Sequence, residues 1–251
     1  MNQNILNVGK LLYEDYSFYI IFFIFLFNSS GYINKTFDTI FFFSQGTLYS
    51  VSILYYYMDN NIGWWNINKI ITNRNNLISD SNLIIVNLLN SIIGYIFNKK
   101  ILLTISENNG LIHNNENIFV ILRDFFAIFY IYDFLFYINH RLLHTQLLYK
   151  KYHKLHHSIY ANCSFSANYM TIIDYLLEVI IPYWLGLYLY NPCFMSSFIF
   201  AIIGQLNGAI THSGYKFKFF VNPKNHMEHH LYFKKNYGVG GPWDYLFKTN
   251  I

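Results

Sequence analysis

The sequence predicts an all-α, multi-pass membrane protein with a histidine-rich cap. Three observations support this fold class. The chain of 251 residues is 54% hydrophobic and only 12% charged, whereas soluble domains are about 25% charged. Long apolar runs recur along its length, and nine of its ten histidines lie between residues 140 and 230.

Six apolar runs are candidate membrane helices, and we expect four to six of them to cross a bilayer, which takes about 20 residues. The run Leu83–Phe97 contains Asn87 and Asn90, and we expect it to be re-entrant, tilted or membrane-spanning. The first run follows acidic residues and not a basic stretch, so we expect an uncleaved anchor. The runs are Tyr16–Phe27, Thr36–Met58, Leu83–Phe97, Ile118–Ile138, Ile172–Tyr190 and Phe194–Ile210.

The chain divides into two expected regions. Residues 1–117 hold N-terminal membrane segments and loops, and residues 118–251 form one integrated region that carries the chemistry. Cys163 and Cys193 lack a paired spacing, so we expect free thiols and no disulfide. His113 stands alone in a polar loop and is expected to be solvated.

Eight histidines form three short clusters with spacings of three and four residues. Such spacings place side chains on one face of a helix, and neutral imidazole is the commonest metal ligand. A ninth, His212, follows the last apolar run. The clusters are His140 with His144, then His153, His156 and His157, and finally His226, His229 and His230.

The last two apolar runs predict a membrane hairpin, because Asn191 and Pro192 between them mark a turn. A hairpin returns the chain to the side that it left, so all the clusters should lie near one interface. Basic residues around them place that interface in the cytosol by the positive-inside tendency. These are Arg141, Lys150, Lys151, Lys154, Lys216, Lys218, Lys224, Lys234 and Lys235. We expect them to meet anionic lipid headgroups and not nucleic acid.

Asp133 and Tyr137 share one helical stripe with His140 and His144. A carboxylate in so apolar a run is costly without a partner, and metal-bound imidazoles often donate their second N–H to a carboxylate. We therefore predict that Asp133 and Tyr137 support the ligands. Asp174 and Glu178 receive the same interpretation with less weight.

Nine histidines exceed the three or four ligands of one zinc ion and favour a two-metal centre. Imidazole alone does not choose among zinc, copper, iron and nickel. The chain has neither a haem-attachment motif nor a dinucleotide-binding glycine motif, since Gly238–Gly241 precedes Pro242 and is expected to be a loop. Electrons for redox chemistry would then come from outside the chain.

The region from about Asp133 to Thr249 resembles the fatty acid hydroxylase and sterol desaturase superfamily, and most closely its C-4 methylsterol oxidases. Five elements carry the resemblance. They are Asp133-x3-Tyr137-x2-His140-x3-His144, His153-x2-His156-His157, Thr211-His212-Ser213-Gly214-Tyr215, His226-x2-His229-His230, and the tail Asn236-Tyr237-Gly238 followed by Trp243-Asp244-x2-Phe247-x-Thr249.

The resemblance implies a multi-pass endoplasmic reticulum enzyme with two iron ions in its cytosolic cap. It also implies a membrane lipid substrate, most closely a C-4 methylsterol, and electrons that pass from NAD(P)H through cytochrome b5 and its reductase. The eight clustered histidines and His212 would all be iron ligands. The chain departs from the pattern of methylsterol oxidases at Phe136, Asn162, Thr171, Asn225 and Lys248.

Other functions stay open at this point. Within lipid oxidation, the alternatives are a fatty-acyl or sphingolipid hydroxylase and a sterol desaturase, because hydroxylation and desaturation begin with the same hydrogen abstraction. A membrane metal-binding protein or transporter is an alternative of another class. A further alternative is a relative without activity that is retained for its interactions.

Overall fold

The computed structural model describes residues 35–60, 80–106, 112–113, 117–159, 163–216 and 222–250. These ranges are mainly helical, and one parallel bridge joins His113 to Cys193. The predicted all-α fold class is confirmed. The predicted run Tyr16–Phe27 lies outside the described residues.

Seven helices carry the described fold. Three of them are long and apolar enough to cross a membrane, namely α2 over Ser81–Asn98, all of α4, and α5. The bounds are α1 Lys35–Asn60, α2 Asp80–Ser106, α3 Ile118–Leu143, α4 Ile172–Tyr190, α5 Phe194–Thr211, α6 Pro223–Tyr232 and α7 Trp243–Leu246. The predicted runs Thr36–Met58 and Ile118–Ile138 are helical within α1 and α3 but are not among the three candidate spans.

Buried amides explain how Leu83–Phe97 forms a continuous helix despite its asparagines. Asn87 donates to the Phe165 carbonyl at 2.6 Å, and Asn90 donates to the Asn168 carbonyl at 2.9 Å. A buried polar group costs little once it is hydrogen-bonded. These bonds also hold α2 against the loop that precedes α4.

The predicted hairpin is confirmed. Helix α4 is capped at its C-terminal end by Asn191, whose φ of 53° lies in the left-handed region that asparagine tolerates better than most residues. Helix α5 packs along α1, and α3 packs against both arms of the hairpin. This arrangement brings the C-terminal ends of α3 and α5 together with the start of α4. Both cysteines are buried free thiols, as expected.

A buried carboxylate fastens the opposite end of the bundle. Asp124 is fully buried in α3 and accepts from the Cys193 backbone N–H at 2.8 Å and the Tyr190 hydroxyl at 3.1 Å. Arg123 and His113 also approach it, with nitrogen to oxygen distances of 2.8 Å and 3.2 Å. The expectation that His113 is merely solvated is therefore incomplete, because its ring also contacts this carboxylate.

Replacing Asp124 with alanine should lower the free energy of unfolding by about 1–3 kcal/mol, because the buried Cys193 N–H loses its acceptor. Urea unfolding in detergent would measure the loss. Arg123→Ala is the matched control, and its effect should be much smaller because the arginine side chain is mostly exposed. Equal losses in the two variants would contradict a structural role for the buried carboxylate.

Candidate metal centre

The eight clustered histidines and His212 divide into two groups, and in each group one ring nitrogen from every histidine lies within 4.8 Å of the others. Each group can hold one metal ion. The first group is His140, His144, His153, His157 and His229, and the second is His156, His212, His226 and His230. The structure thus brings together every histidine that the sequence predicted as a ligand.

Two adjacent histidine pairs form the boundary between the groups. His157 and His229 belong to the first group, whereas their neighbours His156 and His230 belong to the second. Successive residues on a helical turn point about 100° apart, so each pair divides its rings between two metal positions. The ring centroids of His157 and His230 are only 4.4 Å apart. The two positions are therefore close neighbours.

A pair of carboxylates, Asp174 and Glu178, lies beside the first group, close to two π-helical turns. One turn, Tyr149–His153, carries His153, and the other, Leu176–Ile180, carries Glu178. Nδ1 of His153 lies 2.8 Å from an Asp174 oxygen and 3.9 Å from a Glu178 oxygen. Such turns are frequent at functional sites because they re-aim side chains within a helix.

Hydrogen bonds fix the tautomer of five rings. A carbonyl or carboxylate oxygen only accepts, so Nδ1 of each of these rings must carry the hydrogen. In the neutral ring, Nε2 is then left with a lone pair available to a metal. The bonds join His140 to the Tyr237 carbonyl at 2.7 Å, His153 to Asp174, His212 to the Gly208 carbonyl at 2.9 Å, His229 to the Lys235 carbonyl at 2.6 Å, and His230 to the Ile159 carbonyl at 2.9 Å.

The second group has more lone pairs than hydrogen bonds can satisfy. Nε2 of His226 lies 2.9 Å from Nε2 of His212 and 3.1 Å from Nε2 of His230. Both of those partners present lone pairs, so one N–H of His226 can satisfy only one of them. A shared cation would satisfy all three, since metal to nitrogen bonds of 2.0–2.1 Å place ligand nitrogens about 3 Å apart.

The first group has the same geometry. Nε2 of His144 lies 3.1 Å from Nε2 of His229, and Nε2 of His157 lies 2.9 Å from Nε2 of His153. Nε2 of His140 is buried and has no hydrogen-bond partner. An orphaned buried nitrogen that faces other lone pairs is costly unless an ion binds it. The residues therefore fit a metal ion in each group.

Burial lowers the pKa of all nine imidazoles, and the charges of neighbouring histidines lower several of them further. The pKa falls to about 2 for His144, to about 3 for His229 and to about 4 for His153 and His212. The rings are consequently neutral at pH 7. The neutral form is the one that binds metal ions.

Asp133 and Tyr137 contact the C-terminal tail and form no hydrogen bond to a histidine among the described contacts. Asp133 accepts from the Val239 backbone N–H at 2.7 Å, and the Tyr137 hydroxyl lies 3.2 Å from the Thr249 hydroxyl oxygen. The loop that Asp133 holds begins beside Tyr237, whose carbonyl anchors His140. Any support that Asp133 gives to the ligands is therefore indirect.

The Gly238–Gly241 run is a loop, as predicted, and the structure explains one of its glycines. A Cβ atom added at Gly241 would clash with a carboxylate oxygen of Asp133. Only glycine lets the loop backbone approach that carboxylate so closely. Asp244 completes the clamp by accepting from the N–H groups of Tyr237 and Gly238 at 2.8 Å and 2.6 Å.

A cavity of about 680 Å³ reaches both histidine groups. Its walls are mostly apolar and aromatic, which suits a lipid chain or ring system. His140 of the first group and His156, His212 and His226 of the second lie on its lining. Glu178 lies there too, and one of its buried oxygens has no hydrogen-bond partner. The aromatic wall includes Phe125, Phe129, Tyr132, Phe136, Tyr183 and Phe200.

Among the carboxylates, sequence reasoning gave Asp174 too little weight. Its bond to His153 joins residues 21 positions apart, a contact that helical spacing does not reveal. The available signal was its position in an apolar run, which Asp133 shares.

Comparison with known proteins agrees with this site. The sequence profile of the fatty acid hydroxylase family matches residues 125–249, which contain all nine histidines. Fatty acid hydroxylase domain-containing protein 2 of Homo sapiens is 34% identical over 123 residues, 47% of this chain and 35% of that protein. Fatty acid hydroxylase ahd1 of Mycosarcoma maydis is 30% identical over 118 residues, 47% of this chain and 31% of that protein.

C-4 methylsterol oxidase erg25 of Schizosaccharomyces pombe is a more distant relative. It is 26% identical over 135 residues, which make up 49% of this chain and 45% of that protein. The matched region thus spans less than half the length of each of these three relatives. No solved structure matches the chain. By its matched region and its histidine pattern, the chain belongs to the fatty acid hydroxylase superfamily.

Proposed function

We propose that the chain is a membrane-bound, non-haem di-iron oxygenase that oxidises a C–H bond of a lipid. One observation carries the proposal. Two groups of neutral, preoriented imidazoles converge at a largely apolar cavity, so a lipid in that cavity would lie beside both metal positions.

The five histidines of the first group and the four of the second would hold one iron ion each. Iron bound by imidazoles supplies the chemistry that activates O2 toward an unactivated C–H bond. For a hydroxylation, the lipid RH, O2, two electrons and two protons give ROH and water. The aromatic cavity wall binds the lipid and excludes water from the reacting bond.

A C-4 methylsterol is our first substrate proposal, supported by the tail and box pattern and by the similarity to a C-4 methylsterol oxidase. A fatty-acyl substrate is the second, favoured by the higher identity to fatty acid hydroxylase ahd1. Both are apolar enough for the cavity. The two differ in the product that cells would accumulate, which makes them separable.

The charge and the apolar helices of the chain support a proposal for its membrane location. We propose residence in the endoplasmic reticulum membrane with the histidines on the cytosolic side, because lysines surround the clusters. Electrons would come from NAD(P)H through cytochrome b5 and its reductase. Residues 118–251 would form the catalytic region, and residues 1–117 would supply N-terminal membrane segments.

The first test is the metal content of protein purified in detergent from iron-replete cells. We expect about two irons per chain by mass spectrometry of the metals. Zinc alone, or no metal after anaerobic reconstitution with iron, would overturn the di-iron assignment. Metal-dependent transport by loaded vesicles would then favour the transporter alternative.

The second test expresses the chain in cells that lack their own C-4 methylsterol oxidase. Loss of accumulated 4-methylsterols would support the sterol substrate, whereas new hydroxylated fatty acids would replace it with a fatty-acyl substrate. His156→Ala should abolish either product. His113→Ala is the matched control, since His113 lies outside both groups, and its activity should stay close to wild type.

A further inference from the structure

An aromatic pair, Tyr149 and Phe233, covers the outer side of the first histidine group. Their ring centroids are 5.4 Å apart. Tyr149 lies 5.7 Å from both His144 and His157, and Phe233 lies 5.0 Å from His157. Phe233 is 37% exposed and Tyr149 is half-buried. The pair therefore connects solvent directly to the rings of two candidate ligands.

The backbone holds Phe233 in an unfavourable conformation. Its φ of 61° lies in the left-handed region, which is a genuine outlier for a bulky residue. The same turn ends α6 and leads to the Lys235 carbonyl that anchors His229. Strain of this kind persists where the surrounding structure enforces it, often at functional sites.

Positive charge surrounds the pair. Lys150 and Lys151 directly follow Tyr149, and Lys234 and Lys235 directly follow Phe233, with all four lysines exposed. The segments 140–159 and 222–235 together contain seven Lys or Arg residues but only one acidic residue. That residue, Glu228, lies 3.5 Å from Lys224. An approaching protein would therefore meet a strongly basic surface.

We propose that the Tyr149–Phe233 pair and its lysines form the docking and electron-entry surface for an acidic, one-electron donor protein. The proposal rests on the proposed function, in which each oxidation takes two electrons from outside the chain. Two successive docking events deliver the two electrons. At each event, one donor haem iron is oxidised from ferrous to ferric. Electron tunnelling weakens steeply with distance, so entry is fastest where aromatic rings link the surface to the ligands.

Anionic lipid headgroups are the competing occupant of these lysines. Headgroup binding would explain the charge but not the aromatic rings packed against His144 and His157. A protein donor explains both. Opposite charge also accelerates encounter between proteins by about 10- to 1,000-fold at low salt, which suits a transient electron-transfer complex.

The test is a stopped-flow measurement on iron-loaded protein in phosphatidylcholine nanodiscs under anaerobic conditions. The probe donor is the reduced, soluble haem domain of cytochrome b5. The variant K150E/K234E should slow haem oxidation about 10- to 100-fold at low salt and remove most of its salt dependence. The rate at which dithionite with a viologen mediator reduces the bound iron should be the same in this variant as in wild type.

The matched control is K216E/K248E, which alters two other exposed lysines by the same charge and should leave the donor rate near wild type. Equal slowing in both variants would overturn the docking assignment. If K150E/K234E behaves like wild type but loses a stabilisation that phosphatidylserine nanodiscs give the wild type, the lysines bind headgroups and the proposal fails.

The aromatic part of the proposal has its own control. Phe233→Leu should slow reduction by the haem domain at unchanged iron content, whereas Tyr232→Leu, which alters the exposed neighbouring ring, should not. Binding of the oxidised haem domain to metal-free protein gives a readout without turnover, and K150E/K234E should weaken it. Wild-type protein that binds no iron would refute the proposed function, while iron-loaded protein with equal donor rates in all variants would refute only this inference.

Discussion

The double variant His226→Ala/His230→Ala should retain about one iron per chain instead of about two and should lose lipid oxidation. Both residues belong to the second group, and their removal leaves it with two histidines, below the three protein ligands typical of a bound catalytic metal. The first group keeps all five of its members. Activity should fall below about a hundredth of wild type, because even residues that only orient a ligand contribute 10- to 100-fold.

Metal analysis of the purified variant, alongside product analysis in cells, would measure both effects. His113→Ala serves as the control for a histidine substitution outside the groups. A double variant that still carried two irons would show that the second group is not a metal site. A double variant that carried no iron would show that the two metal positions bind iron only together.

Asp174→Ala should weaken metal binding in the first group by about 10- to 100-fold. The carboxylate accepts from Nδ1 of His153 at 2.8 Å and so keeps the Nε2 lone pair pointed toward the other ligands. Without it, His153 can take the other tautomer or turn its ring. Equilibrium dialysis against a competing chelator would measure the change.

Two further variants separate orientation from charge. Asp174→Asn keeps an oxygen that can accept the same hydrogen bond, so its affinity should lie between those of Asp174→Ala and wild type. Glu228→Gln removes a carboxylate from the helix that carries the last histidine cluster, but that carboxylate contacts Lys224. Its metal affinity should match wild type, and a loss equal to that of Asp174→Ala would argue for a general charge effect.

The sequence was sufficient to predict the helical membrane fold and the meeting of the histidine clusters. The hairpin could be predicted because the turn at Asn191 and Pro192 is a local signal, and the direction of its two arms follows from it. Spacings of three and four residues likewise report which rings share a helix face. These features depend on residues close together in the chain.

The sequence predicted a two-metal centre but not which histidine belongs to which group, although part of that signal is local. His156 with His157, and His229 with His230, are adjacent residues whose rings must diverge, and the structure assigns one member of each pair to each group. Which ring joins which group depends on how α6 packs against α5. That packing is a tertiary property that spacing does not encode.

The carboxylate contacts show the same limit. Asp133 lies on the predicted stripe of α3, but the C-terminal tail folds back over that helix. The Val239 N–H of the tail donates a hydrogen bond to the Asp133 carboxylate. The partner of His153 is Asp174, which reaches it because the start of α4 packs against the π-helical turn Tyr149–His153. Neither the path of the tail nor a π-helical turn has a reliable signature in one sequence.

Four of the five anchored imidazoles are oriented by main-chain oxygens, at Ile159, Gly208, Lys235 and Tyr237. Main-chain oxygens are present whatever side chain a position carries. Substitutions at these positions that preserve the course of the chain would therefore keep the rings aimed. The cavity wall, in contrast, is built from side chains. A protein of this design can exchange the residues that select its lipid while its histidines stay aligned.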